Sequence, residues 1–528
     1  MSFRRVGRLL DRLAAWLSTW PGRAVLFAAA VGAYAVEDVA SPLRPGRDLS
    51  NYLHYYLQLG ESHPPLLLTM LYREPVAPLL LGGSLDLGGR PLAEVCMAVL
   101  FGASIVAWTS VASTFGPRAG LFTAVALIVY PGYGILFHEY ASDAVFAAAF
   151  AGWAVLVARA ALRPTAGRFA LVGLGVAVLT LVRPGNEVLL VFALFAFLAG
   201  SDWRQGIRSF GAFLLAAAVV LGGWAGYNGV RYGVYAVSRG GNAYVPFFRA
   251  FVTDHIVSPD NGPASRELAR AVATRLLPLQ PYRAYGITLH EFFAQGSVRM
   301  HEDLIHLSDL TWGWSSNYTK LRDAGLEAIE RHPATYASGV ASTVWDELWY
   351  PLFAAVGATP PAPRGTGSKP GRQHRLPVPT EGEPIPASHY SNNTTTPDGR
   401  IHEVWTSPTA HHIVYPTARE QRSYEELRAR TARLEAPIVD NRGNATLKLR
   451  LDQASKWYPR LAIWLVVGLL TLAFRRPRHA RLALALAASG LVVIVFTALG
   501  IFEVIEFSIP AAPAFVVLAA AGLFGDRP

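Results

Sequence analysis

The residues of this chain best suited to chemistry lie where long apolar runs give way to short polar connections. Arg47-Asp48-Leu49-Ser50-Asn51-Tyr52 follows the first such run, and Asp48 and Tyr52 share a face if the segment is a helical turn. The plainer reading of Asp48 is a charge favoured at a helix N-terminus. Tyr72-Arg73-Glu74-Pro75 precedes the next apolar stretch; it suits a phosphate-binding cation beside an acid, or an interfacial anchor pair. His138-Glu139-Tyr140-Ala141-Ser142-Asp143 gathers ionisable groups between two apolar runs, where they either form a site or mark a water boundary. Arg183-Pro184 interrupts another apolar stretch, and its cation calls for a negative partner, either Glu187 or a ligand phosphate.

The elements that must position these groups are membrane helices. The chain has 528 residues, 52% hydrophobic and 16% charged, against roughly 25% charged in a soluble chain. Its net charge of +10 comes almost wholly from arginine, with Lys only at 320, 369, 448 and 456. Those arginines sit beside apolar runs, so a membrane explains them better than nucleic acid does, and no nucleic-acid partner is expected. The one cysteine, Cys96, lies within an apolar run, which excludes an intrachain disulfide framework and a cysteine-based zinc site.

Runs long enough, or nearly so, to cross about 30 Å of hydrocarbon occur near 23–40, 91–113, 118–136, 143–162, 169–182, 188–200, 209–227, 459–474, 482–500 and 508–524. About ten transmembrane helices are expected. The pair at 169–182 and 188–200 reads as two spans or a re-entrant pair. The first run reads as a retained helix, because Glu37 and Asp38 follow it where a signal peptide would show small residues. Placing both termini in the cytoplasm puts Arg4, Arg5, Arg8, Arg12, Arg118, Arg159, Arg163, Arg168, Arg204, Arg208, Arg475, Arg476, Arg478 and Arg481 inside. The short outer loops 137–142 and 501–507 then hold no Lys or Arg, as the positive-inside rule requires. Arg183 alone breaks the rule among the short loops, which is why it must answer a negative charge.

Three parts follow: an N-terminal transmembrane module over 1–227, an extracytoplasmic domain over 228–455, and C-terminal transmembrane helices over 456–528. Within the middle part, Glu267 to Leu277 and Leu321 to Ile329 carry apolar residues at helical spacing, the latter stopped by His332-Pro333. A Pro-rich excursion at 355–400 reads as extended or disordered. Ile401 to Thr406 and His411 to Tyr415 read as a small hairpin, and Arg419 to Leu434 as a charged helix. The fold class is thus an all-α polytopic membrane protein with a mixed, mainly helical extracytoplasmic domain. No internal repeat or phosphate-cradling Gly-rich loop is present, which argues against an ATP-driven pump.

Taken in order, these motifs resemble the GT-C superfamily of polytopic glycosyltransferases, in the branch of bacterial lipid A aminoarabinose transferases and protein O-mannosyltransferases. The matching residues are Asp48 and Tyr52; Arg73-Glu74-Pro75-Val76-Ala77-Pro78; Tyr130-Pro131 with Ser142-Asp143; Arg183-Pro184; Asn228, Tyr232-Gly233 and Gly240-Gly241-Asn242; and His332-Pro333-Ala334-Thr335-Tyr336. The resemblance spans 1–345 and 456 to the end. One departure is Phe507-Ser508-Ile509-Pro510, where the family tends to place an Arg or Tyr beside the proline.

The resemblance implies inverting transfer of a sugar from a polyprenyl-phosphate carrier to an extracytoplasmic acceptor glycan, lipid or protein, in a plasma membrane. Asp48 is then the catalytic base. Tyr52, Arg73, Glu74, His138, Glu139, Asp143, Arg183, Arg239 and Asn242 are substrate-binding candidates, with Arg183, Arg73 or Arg239 on the phosphate. No cofactor is expected, and a divalent metal is compatible but not indicated. The competing readings are a flippase or transporter of a lipid-linked sugar, and a sensor built on 228–455. A transporter would show charges at mid-bilayer depth and internal pseudo-repeats.

Overall fold

The structure is a computed structural model that describes residues 3–61, 64–200, 202–279, 282–283, 286–349, 402–405, 411–439, 443–500 and 508–527. The Pro-rich segment 355–400 and the loop 501–507 lie outside the described residues.

An amphipathic helix, α1 (Phe3–Leu17), leads into α2 (Trp20–Ala40), whose start is capped by Thr19 with Pro in its first turn. A two-residue strand β1 (Arg44–Pro45) and the short helices α3 (Leu49–Gln58) and α4 (Leu67–Tyr72) form the first connection. Next comes α5 (Val76–Ala112), broken at Gly89, where φ is +59° just ahead of Pro91. The apolar run expected from 91 is therefore the second half of a longer element, because Val76 to Leu85 continues the helical apolar pattern. Helices α6 (Pro117–Ile128) and α7 (Pro131–His138) form a pair bent by 58°. Pro131 accounts for the bend, since it disfavours α conformation at Tyr130. Strand β2 (Glu139–Tyr140) then precedes α8 (Ser142–Leu162) and α9 (Ala166–Val182).

Pro184 cannot continue α9, and the chain proceeds as a 3₁₀ segment, Pro184–Leu194, into α10 (Phe195–Ala199). The 30-residue α11 (Trp203–Tyr232) is capped by Asp202 at one end and Gly233 (φ +74°) at the other. A mainly helical unit follows: α12 (Gly241–Tyr244), α13 (Pro263–Ala271), α14 (Leu289–Gln295), α15 (Val298–Trp312), α16 (Thr319–Arg331) and α17 (Pro333–Trp349). It has its own core, centred on Phe247, Phe251, Leu268, Phe292, Leu304 and Leu321. Strands β3 (His402–Trp405) and β4 (His411–Val414) pair antiparallel, followed by α18 (Ala418–Val439) and α19 (Ala445–Ser455). The chain closes with α20 (Leu461–Arg475), α21 (Ala480–Gly500) and α22 (Ala512–Phe524).

Among the described residues, four helices, α5, α8, α11 and α21, are long and apolar enough to cross a membrane, or five spans if the bent α6–α7 pair counts as one. The chain is a mostly helical, multi-pass membrane protein. Its larger core runs through α2, α5, α8, α9 and α22, with Phe101, Trp108, Phe150, Trp153 and Phe515 at its centre.

Candidate functional site

A cavity of about 1180 Å³ lies where the first connection, the start of α8, the end of α9 and the loop before α12 meet. Asp48, Tyr52, Arg73, Glu74, Asp143, Arg183 and Arg239 all line it. Local structure explains how each arrives there. Leu49 and Leu53, one turn apart, seat α3 on the core and turn Tyr52 toward the cavity. Asp48 stands at the N-cap of α3 with φ +61° and makes no cap bond. Its Oδ2 lies 2.9 Å from Nη2 of Arg73. The Arg73 guanidinium in turn sits 5.1 Å from the centre of the Tyr52 ring, within cation–π range. The Tyr52 hydroxyl donates to Ser142 Oγ at 2.7 Å, which ties the first connection to the start of α8.

Asp143 occupies the first turn of α8, where the helix dipole favours an acid. Arg183 forms an ion pair with it. Arg183 is the extended residue ending α9 ahead of Pro184, so its side chain leaves the helix axis and points across to α8. Two acid–arginine pairs therefore face the same space.

Glu74 is buried beside them, and its Oε1 has no hydrogen-bond partner. Burial holds its carboxyl well above the usual carboxylate range, against the pull of the Arg73 guanidinium. Burial likewise pushes the Tyr52 phenol up. Gly240 (φ +109°) lets the backbone pass the Tyr72 ring, where a Cβ would stand 2.4 Å from a ring carbon. The neighbouring Arg239 N–H donates to the Leu71 carbonyl at 2.7 Å. These contacts lay the loop before α12 over the charged groups.

Three expected site residues are placed elsewhere. His138 is buried against Tyr34 and Asp38, Glu139 pairs with Arg44 at 2.5 Å, and Asn242 donates to the Asn317 carbonyl at 2.9 Å. None of the three lines the cavity. The reason is local: α7 ends at His138, and the extended residues after it turn His138 and Glu139 toward α2 and β1. Arg239 does line the cavity, but its guanidinium is bound by Asp309, Tyr318 and the Trp314 carbonyl and stacked on Trp314 at 3.5 Å. It is committed to the fold of the α12–α17 unit rather than offered to a ligand.

The rest of the cavity is apolar. Val182 and Leu190, Leu214 and Leu221 of α11, and Val493 and Phe496 of α21 form its flank. These residues carry no sequence signal distinguishing them from other apolar positions of the same helices. Tyr244 and Ser238 also line it; their nearness to the Gly240-Gly241 turn was the only available pointer. Among the described residues, no group of three or more His, Cys, Asp and Glu side chains is arranged to hold a metal ion.

No curated protein sequence matches the chain. A crystal structure of ArnT from Cupriavidus metallidurans bound to undecaprenyl phosphate is similar at 14% identity, covering 96% of this chain and 77% of that one with a TM-score of 0.32. Residues 63–225, which contain Arg73, Glu74, Asp143 and Arg183, match the family model of the dolichyl-phosphate-mannose-protein mannosyltransferases.

Proposed function

We propose that the chain is an integral-membrane glycosyltransferase that moves a sugar from a polyprenyl-phosphate carrier to an acceptor on the outer side of the membrane. The observation that carries this reading is the make-up of the cavity: paired arginines and carboxylates in one part, an apolar flank from the end of α9, the segment after it, α11 and α21 in the other. A phosphate head joined to a long hydrocarbon tail has the same two-part chemistry. The match of residues 63–225 to a family that uses lipid-phosphate sugars supports the same conclusion.

In this reading Asp48 takes the proton of the acceptor hydroxyl as its oxygen bonds to the anomeric carbon. The bond from that carbon to the phosphate oxygen breaks, and its electron pair stays on the lipid phosphate. Arg183, with Arg73 behind it, meets the charge that develops there. A single displacement inverts the anomeric centre. Arg73 keeps Asp48 oriented, while Asp143 orients Arg183. Glu74, whose burial favours the protonated form, can hydrogen-bond a sugar hydroxyl.

The arginine distribution further supports about ten crossings of a plasma membrane, with both termini cytoplasmic and the α12–α17 unit outside. The acceptor is a glycan, lipid or protein on that side. The test is transfer from radiolabelled undecaprenyl-phosphate sugars by the purified chain in nanodiscs. Activity lost in Asp48→Asn with undecaprenyl phosphate binding retained supports the assignment. Turnover unchanged in that variant refutes it.

A further inference from the structure

A second polar cluster lies outside the cavity, at the ends of α2 and α7. His138 is fully buried, and its ring stacks on Tyr34 with centroids 4.0 Å apart. Its Nδ1 lies 3.5 Å from Asp38 Oδ1 and its Nε2 3.9 Å from Glu37 Oε2. Arg44, Arg90, Glu94 and Glu139 are the other charged groups around it. Glu37 packs so closely on α7 that a Cβ at Gly134 would lie 1.7 Å from its Oε2. Burying a histidine beside two carboxylates is costly unless the charges are matched, and nothing about packing two apolar helices requires it.

What the cluster anchors is specific. Asp38 Oδ1 also accepts the Leu43 N–H at 3.3 Å, which starts the extended run that becomes β1. On the other segment, β2 begins directly after His138. The two strands pair in parallel, Arg44 with Glu139 and Pro45 with Tyr140, and the Gly46 N–H continues the pairing to the Tyr140 carbonyl at 3.3 Å. A Cβ at Gly46 would stand 2.6 Å from Ala141 Cβ, so the chains run in close contact. Beyond this short ladder one strand leads to Asp48 and the other to Asp143, both at the cavity. The spacing of the two acids is therefore set from the ladder, and the ladder starts from His138 and Asp38.

We propose that His138, with Asp38 and Glu37, is a positioning cluster that fixes the register of β1 against β2 and thereby the separation of Asp48 from Asp143. The inference rests on the reading of those two acids as groups of a glycosyltransferase site. His138 touches no substrate. It acts through the ladder.

The test uses the full chain in nanodiscs and three variants. His138→Phe keeps the stacked ring and removes the ring nitrogens that face Asp38 and Glu37; Asp38→Asn removes the other half; the double variant combines them. Amide exchange of peptides covering 43–52 and 139–146 should quicken about fivefold or more in each, with 264–271 in α13 unchanged. Transfer from an undecaprenyl-phosphate sugar should fall about 10- to 100-fold, while affinity for undecaprenyl phosphate moves less than about threefold, and the double variant should be no worse than the single ones. Unchanged exchange in both peptides overturns the proposal whatever the activity, as do additive losses. Should His138→Phe not fold, His138→Gln, which stays polar and neutral, is read by the same exchange criterion. Failure of the function itself is seen separately, as full turnover in Asp48→Asn with normal exchange.

Discussion

Asp48 Oδ2 stands 2.9 Å from Arg73 Nη2, with the two side chains 38% and 28% exposed. A pair this open contributes at most about 1 kcal/mol to stability, so its value is geometric: the arginine aims the carboxylate. The backbone supports the same conclusion. Asp48 holds φ +61°, a left-handed conformation that Asp and Asn adopt far more readily than other side chains bearing a Cβ. Asp48→Asn therefore keeps backbone and shape while removing the base. Transfer should drop by about 10²-fold or more, with an unfolding midpoint within a few degrees of wild type. Asp48→Ala should lose both activity and stability. Wild-type turnover in Asp48→Asn would remove Asp48 from the chemistry.

Arg183 is placed to meet a phosphate because it lies beside Val182, where the charged part of the cavity joins its apolar flank, whereas Arg239 is enclosed by Asp309. Arg183→Ala also strands Asp143, which is only 7% exposed, so the local potential turns negative. Affinity for undecaprenyl phosphate should fall at least about tenfold, roughly 1.4 kcal/mol. Arg183→Lys should recover only part of it, since it keeps the charge without the planar fork. Equal affinity in wild type and Arg183→Ala would move the phosphate to Arg73.

The residues Asp48, Tyr52, Arg73, Glu74, Asp143 and Arg183 were legible as a group because each sits at the end of an apolar run, and membrane topology sends such ends to a common level. His138 and Glu139 have the same signature, yet the structure turns them to α2 and β1. That choice depends on where α7 ends, and the apolar run does not show it. The apolar flank of the cavity was not legible, because Leu214 or Phe496 looks the same whether it faces lipid, core or cavity. The helices at 263–271 and 319–331 were visible through their spacing. The buried Arg239–Asp309 pair was not, since it joins residues far apart in sequence.

Glu74 makes the stability of the chain pH-dependent in a definite direction. Burial raises its carboxyl in the folded state, so its contribution is complete below the ordinary Glu value of about 4.3 and is lost as pH rises toward the folded value. Above that ordinary value the unfolded chain ionises first, and unfolding is favoured. Glu74→Gln, neutral at all pH, should remove this loss. At pH 8 its unfolding midpoint should exceed that of wild type by about 2 °C or more, and the gap should close by pH 4.5. A gap that does not vary with pH would mean that Glu74 is ionised in the folded protein.

His301 in α15 works in the opposite sense. It is 1% exposed, its Nε2 lies 2.9 Å from the Ala243 carbonyl, and the rings of Tyr244 and Phe248 surround it. A carbonyl only accepts, so Nε2 carries a proton. Burial pushes its pKa down to about 4, against about 6.5 in the unfolded chain. The stability it contributes is whole above pH 6.5 and declines as pH falls toward 4, because only the unfolded state takes up the proton. By pH 5 the loss should reach about 2 kcal/mol. His301→Gln keeps an N–H for the Ala243 carbonyl and has no charge to gain. Unfolding of the purified chain followed from pH 7.5 to pH 5 should therefore fall more steeply for wild type than for His301→Gln, by that amount. Parallel curves would show that His301 takes up its proton while folded, which the burial of the ring argues against.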